Sequence, residues 1–153
     1  MPKVSVVMSV CNSEPFIRDA IKNILGQTFQ DFEFIIINDG STDGSLQIIQ
    51  SYGDSRIRIT SQENLGLTKS LNKGIGIARG EYIARQDADD ISEPSRLEKQ
   101  VAVLEQNSRA VLVSSNIRYF SEAWTSSPES NRHIDPIVAS IAVKSLISNV
   151  GRP

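Results

Sequence analysis

The chain has 153 residues, a formal net charge of −2, one cysteine and one histidine. That length supports a single domain, residues 1–153, with a sizeable core, and the near-neutral balance excludes the basic face that a nucleic-acid binder needs. Cys11 and His133 each stand alone, which excludes an intrachain disulfide and a Cys-rich metal site and leaves a zinc site or a Cys/His nucleophilic pair short of partners.

Residues 4–10 are apolar and β-rich, the pattern of a buried parallel strand. Asn12-Ser13-Glu14-Pro15 then predicts a helix start, with a capping side chain and proline in the first turn. Ile17, Ala20, Ile21, Ile24 and Leu25 follow at helical spacing, with Gly26 as the stop. Residues 32–37 read as a second buried strand, and Asn38-Asp39-Gly40-Ser41-Thr42-Asp43-Gly44 as a polar, solvent-side turn after it. Leu46, Ile49 and Tyr52 mark a second helix, and residues 56–60 a short alternating strand near a sheet edge.

Asn64-Leu65-Gly66 is a turn before a third helix whose apolar face would be Leu67, Leu71, Ile75 and Ala78. Gly74 and Gly76 fall inside that helix and read as points of close packing. Residues 81–86 form a strand that runs into Asp87-Ala88-Asp89-Asp90. Ser92-Glu93-Pro94 opens a fourth helix carrying Leu97, Val101 and Leu104 on one face, and residues 110–114 are another apolar strand. This alternation predicts an α/β fold: a three-layer α/β/α sandwich with a mostly parallel central sheet. Residues 121–131 read as a loop, and Asp135-Pro136 as the start of a last helix through Ile137, Val138, Ile141 and Leu146, with no further strand.

Three polar features should meet at one sheet edge: Ser9 to Asn12, the Asp39 turn, and Asp87 to Asp90. Asp87 and Asp89 lie two apart, so in extended geometry they point to the same side. Two carboxylates held that close repel, and a hard divalent cation on a phosphate-bearing substrate relieves the repulsion. A solvated acidic turn capping the next helix is the plain alternative. Neither a P-loop nor a G-x-G-x-x-G fingerprint follows the first strand.

Taken together, Val4-Ser5-Val6-Val7-Met8 with Asn12, Ile37-Asn38-Asp39-Gly40-Ser41-Thr42-Asp43, Asn64-Leu65-Gly66, and Ala78-Arg79-Gly80-Glu81-Tyr82-Ile83 running into Asp87-Ala88-Asp89-Asp90 resemble glycosyltransferase family 2, with its GT-A fold. Pro94, Arg96 and Leu97 follow in family positions, and the resemblance covers residues 3–115. It implies a nucleotide-sugar site formed by Ser9, Cys11, Asn12, Asp39, Asn64, Gly66, Lys69, Asp87, Ala88 and Asp89. Asp39 would hydrogen-bond the base or ribose. Asp89 would ligate Mn²⁺ or Mg²⁺ on the diphosphate, and Asp87 would face the ribose or the metal's water shell. Lys69 would reach phosphate or stay solvated, and Arg85 would pair with Asp87 or Asp90.

The implied activity is metal-dependent, inverting transfer from a nucleotide sugar, by default a UDP-sugar, to a glycan or lipid-linked acceptor in polysaccharide assembly. The alternatives are a non-catalytic nucleotide-binding module and a sugar-nucleotide nucleotidyltransferase. The latter needs a basic, Gly-rich triphosphate loop, and residues 8–15 contain neither glycine nor a basic residue. Two departures stand out. The family's first strand leads into an aromatic residue able to stack on the base, and here that place holds Cys11, which has no ring. Beyond residue 116 the acids are Glu122, Glu129 and Asp135, none in a recognisable motif, so no catalytic base is assigned. Residues 116–153 form an incomplete acceptor side, and the chain should bind nucleotide better than it transfers sugar. The apolar face left uncovered there would favour a homo-oligomer. No apolar run approaches the roughly 20 residues of a membrane span. A cytoplasmic location follows, in solution or peripheral at the inner face of the membrane.

Overall fold

The computed structural model describes residues 1–116 and, as a backbone strand, residues 140–144. Among the described residues, ten elements follow one another: β1 (Val4–Val10), α1 (Ile17–Leu25), β2 (Phe32–Asp39), α2 (Ser45–Gln50), β3 (Ile57–Gln62), α3 (Leu67–Ile77), β4 (Tyr82–Asp87), α4 (Arg96–Gln106), β5 (Leu112–Ser115) and β6 (Ser140–Lys144). The strands form one sheet in the order β3-β2-β1-β4-β6-β5. β1, β2, β3 and β4 are mutually parallel, so the mostly parallel α/β sheet expected from the alternation of elements is present. β3 lies at an edge, as its alternating pattern predicted.

Burial on both faces explains why β1 and β2 are almost continuously apolar. Val4, Val6, Met8 and Val10 of β1, with Phe32, Phe34 and Ile36 of β2, pack under Ile17, Ile21 and Ile24 of α1 and Leu97, Val101 and Leu104 of α4. Val7, Ile35, Ile37 and Ile83 point to the opposite face, where Ala78, Leu71 and Ile77 cover them. The helices therefore occupy two layers, with α1 and α4 on one side of the sheet and α3 on the other.

α3 keeps only part of its predicted face, Leu71 and, at its C-cap, Ala78. Leu67 and Ile75 are 51% and 38% exposed, and the buried positions are Ser70 and Gly74. The reason is proximity: a Cβ at Gly74 would collide with Val7 Cγ1 and lie 3.5 Å from Ile37 Cγ1. α3 thus sits too close to the sheet for a large side chain there. Gly76, read from sequence in the same way, has nothing within 4 Å of a Cβ and carries no such constraint. Gly74→Ala is expected to destabilise the protein by about 1–3 kcal/mol through overpacking, whereas Gly76→Ala should be neutral or stabilising. Paired urea-unfolding curves measure the difference.

Two further expectations are corrected. The side chains of Asn12, Ser13 and Glu14 do not cap α1, whose N-cap is Phe16 and which has no side-chain cap hydrogen bond. The side chains of Asn12 and Glu14 are drawn to the turn after β2 instead, while the Ser13 hydroxyl donates to the Cys11 carbonyl. The last helical pattern is also overturned, because residues 140–144 form β6, antiparallel to both β4 and β5. The segment Ser140-Ile141-Ala142-Val143-Lys144 carries β-branched residues at alternate positions. The open edge of β4 offers it a row of unpaired backbone groups. Glu122, Glu129, Asp135 and the predicted loop at 121–131 lie outside the described residues.

Candidate active site

The parallel register decides which residues meet. Ser9 of β1 lies opposite Asp87 of β4 and Ile37 of β2, and Asp39 of β2 lies opposite Gln62 of β3. The carboxyl ends of these strands therefore form one rim. Connections from β1 run to β2 and β3 on one side, while β4 is added on the other. That reversal opens a crevice, the place where open α/β sheets bind ligands. A cleft of about 560 Å³ occupies it, lined by Ser9, Cys11, Asn12, Asp39, Asn64, Gly66, Asp87, Ala88 and Asp89. All of these were named from sequence. Lys69, named with them, is exposed and does not line the cleft. Ser13, Phe16, Leu67 and Arg85 complete the wall.

Two turns lock together to shape one side. Asn12 takes a left-handed conformation (φ 52°), which short polar side chains tolerate. Its Oδ1 accepts the Thr42 N–H at 2.8 Å, and its own N–H donates to Ser41 Oγ at 3.1 Å. Glu14 Oε2 accepts the Gly44 N–H at 2.7 Å, and Asp43 Oδ2 accepts the Glu14 N–H at 3.0 Å. Polar residues that look like a helix cap in sequence thus cross-link the loops after β1 and β2.

Asp39 is not on a solvent-side turn. It is 2% exposed, at the last position of β2. Its Oδ1 accepts hydrogen bonds from Gln62 Nε2 (2.7 Å) and the Leu65 N–H (2.9 Å), and its Oδ2 from the Gly66 N–H (2.9 Å). Burial alone would push its carboxyl up, but these bonds outweigh burial and hold it below the ordinary carboxylate range. Gly66 sits at φ 87°, a region that favours glycine, and this lets its N–H turn inward. Asp39 therefore fixes the Asn64-Leu65-Gly66 turn as a cleft wall. From that turn Asn64 Nδ2 reaches Cys11 Sγ at 3.2 Å.

The acidic turn after β4 is held from beneath by a residue that sequence reasoning passed over. Gln86 is 3% exposed. Its Nε2 donates to the carbonyls of Asp87 (3.0 Å) and Asp90 (2.9 Å), and its Oε1 accepts from Ser92 Oγ (2.7 Å) and Arg96 (3.2 Å). Arg96 also donates to the Arg85 carbonyl at 3.2 Å, and burial pushes its guanidinium down to about 10 despite the nearby Asp90. Asp90 moves the opposite way: burial, then the charges of Asp87 and Asp89, raise it. A polar residue inside an apolar strand was the available signal for Gln86.

The remaining two acids differ in their partners. Arg85 grips Asp87 with a two-pronged pair, Nε to Oδ1 at 2.9 Å and a terminal nitrogen to Oδ2 at 2.8 Å. Asp89 is exposed and makes no hydrogen bond or ion pair among the described residues. Those residues contain no cluster of three or more His, Cys, Asp or Glu side chains suited to a metal ion.

The family model for glycosyl transferase family 2 matches residues 5–148. The chain belongs to glycosyl transferase family 2. EpsE of Bacillus subtilis, named as a glycosyltransferase, is 43% identical over 125 residues, which is 79% of this chain and 45% of that one. Glycosyltransferase GlyG of Streptococcus pneumoniae is 34% identical over 119 residues, 76% of this chain and 40% of the other. The chain therefore spans less than half the length of these relatives.

Among solved structures, Staphylococcus aureus TarS 1-349 in complex with UDP-GlcNAc superposes with a TM-score of 0.64 at 28% identity, over 68% of this chain and 31% of that one. The mannosyltransferase PcManGT of Pyrobaculum calidifontis, in complex with GDP-Man and Mn²⁺, gives 0.70 at 25% identity, over 76% and 36%. These neighbours share the GT-A fold, so the fold and, with the family model, the family expected from the four sequence motifs are both present. Among the described residues no helix is long and apolar enough to cross a membrane.

Proposed function

We propose that this chain carries the donor-binding part of an inverting, metal-dependent glycosyltransferase that takes a UDP-sugar and serves a glycan or lipid-linked acceptor. One observation carries the reading: the switch-point cleft runs from the Asn64–Gly66 turn, past Asp39, to the acids after β4. A nucleoside diphosphate has the same order of parts, a neutral base and ribose and then a dianionic tail.

The residues present fit a hard divalent ion. The donor set at the acidic end is carboxylate oxygen, the ligand type that Mg²⁺ and Mn²⁺ prefer. Asp89 has both oxygens free of protein partners among the described residues. The lack of a three-acid cluster agrees with an ion that takes one or two carboxylates and completes its shell with phosphate and water. Asp89 would hold it, with Asp87 beside it in the outer shell. When bound, the ion supplies positive charge to the departing diphosphate.

The chain's own residues do the rest of the donor-side work. Asp39 and Gly66 hold the base-side wall. Gln86 and Arg96 keep the acidic turn rigid, so the donor meets a preorganised surface. Arg85 balances Asp87, so the two carboxylates are not left to repel each other in the absence of ligand.

Cys11 gives a direct test, since it is the chain's single cysteine and is exposed in this cleft. At UDP and Mn²⁺ concentrations of about ten times the dissociation constant, its alkylation by iodoacetamide is expected to slow roughly tenfold, by occupancy alone. A chelator should restore the free rate. Equal rates with and without UDP and Mn²⁺ would remove the nucleotide from this cleft.

A further inference from the structure

The nucleotide reading leaves one question that its residues do not answer: what grips the base when the place after β1 is held by Cys11 and not by an aromatic ring. The cleft wall contains two large apolar side chains that the core does not use. Phe16 is 55% exposed and Leu67 is 51% exposed, yet both line the cleft. What sets these two apart from other exposed apolar side chains is that they share one concave surface with placed polar groups, the usual make-up of a small-molecule site.

Their positions come from different layers. Phe16 is the N-cap residue of α1, set by its N–H donating to the Ser13 carbonyl at 3.0 Å. Leu67 is the first residue of α3, directly after Gly66. α1 packs on one face of the sheet and α3 on the other. The two side chains thus reach the same cleft from elements packed on opposite faces of the sheet. A flat, apolar-faced group with polar edges suits the space between them. A nucleobase is such a group, and Asn64 lies on the same wall to meet its edge.

We infer that Phe16 stacks on the base of the bound nucleotide and that Leu67 closes the opposite side, so that the aromatic contact is supplied by the start of α1 and not by the end of β1. This inference rests on the nucleotide reading above. It also makes base affinity separable from diphosphate affinity, because stacking does not depend on which base is present.

Calorimetry on the full chain with Mn²⁺ tests this with two probes, UDP and inorganic pyrophosphate. Phe16→Ala is expected to weaken UDP by roughly tenfold or more, the usual cost of losing an aromatic under a base, and to leave pyrophosphate unchanged. Phe16→Trp should keep UDP affinity. Phe16→Leu, which retains apolar area without a ring, should fall between them. Because Phe16 is half exposed, all of these variants should melt with the wild type, and a melting curve for each verifies that. UDP binding unchanged in Phe16→Ala overturns the stacking role and leaves the nucleotide reading intact. A parallel loss of pyrophosphate in that variant overturns it too, since the effect would then not be on the base. Absence of UDP binding by the wild-type chain overturns both.

Discussion

Replacing Asp89 with alanine is expected to abolish the metal-dependent part of nucleotide binding while leaving the melting temperature where it is. Asp89 is exposed and has no hydrogen-bond or ion-pair partner among the described residues, so the fold loses nothing with it. As the proposed direct ligand, its loss should exceed the roughly 10–100-fold drop that follows removal of an outer-shell partner. Asp90→Ala should cost less, because Asp90 does not line the cleft, and burial and two neighbouring carboxylates already disfavour its charge. Titrating UDP with Mn²⁺, and again with a chelator, separates the two components. Asp89→Ala with undiminished Mn²⁺ dependence would move the metal to other residues.

Asp39→Ala is expected to have the largest effect on stability, about 3–5 kcal/mol, comparable to Ile36→Ala in the core. The carboxylate accepts three hydrogen bonds, two of them from backbone N–H groups that would be left without a partner. At this chain length the loss corresponds to a melting temperature lower by about 10 °C or more. Asp39→Asn keeps the shape but turns one acceptor into a donor facing donors, so it should recover only part of the loss. The pH dependence has a definite sign. Asp39 is held below its unfolded value, so its contribution is complete above about pH 4. It is lost as the pH falls through the lower folded value. Thermal melts of both variants with Ile36→Ala alongside, repeated towards pH 3, measure this. A melting temperature equal to that of wild type would make Asp39 dispensable to the fold.

Some of the molecule can be read from local pattern because one local force dominates. The runs at 4–10 and 32–37 are apolar along one whole face and add Val7, Ile35 and Ile37 on the other, the pattern of a parallel strand covered on both sides. Acids ending a buried strand must lie at its solvent end, which is why Asp87 and Asp89 are found on the cleft rim. Other assignments failed where two local readings have nearly equal energy. Asn12, Ser13 and Glu14 suit a helix cap and a loop cross-link equally well by residue type. The neighbouring turn after β2 decides in favour of the cross-link. Residues 140–144 fit a helix by spacing and a strand by β-branching, and the unpaired edge of β4 selects the strand.

The sequence by itself determined the α/β alternation, the parallel core strands, the family, and which residues crowd the cleft rim, since periodicity, turn chemistry and motif order are all local properties. Only the tertiary structure decided how those residues act. It buried Asp39 because the Leu65 and Gly66 amides close over its carboxylate. It paired Asp87 with Arg85 and left Asp89 open, because alternate positions along β4 place Arg85 and Asp87 on one side. It brought α3 so close to Val7 that only glycine fits at position 74, and it left Leu67 and Phe16 exposed on the cleft. The burial of Asp39 and the close approach of α3 depend on contacts between residues far apart in the chain, whereas for Arg85 the sequence left only the choice between Asp87 and Asp90.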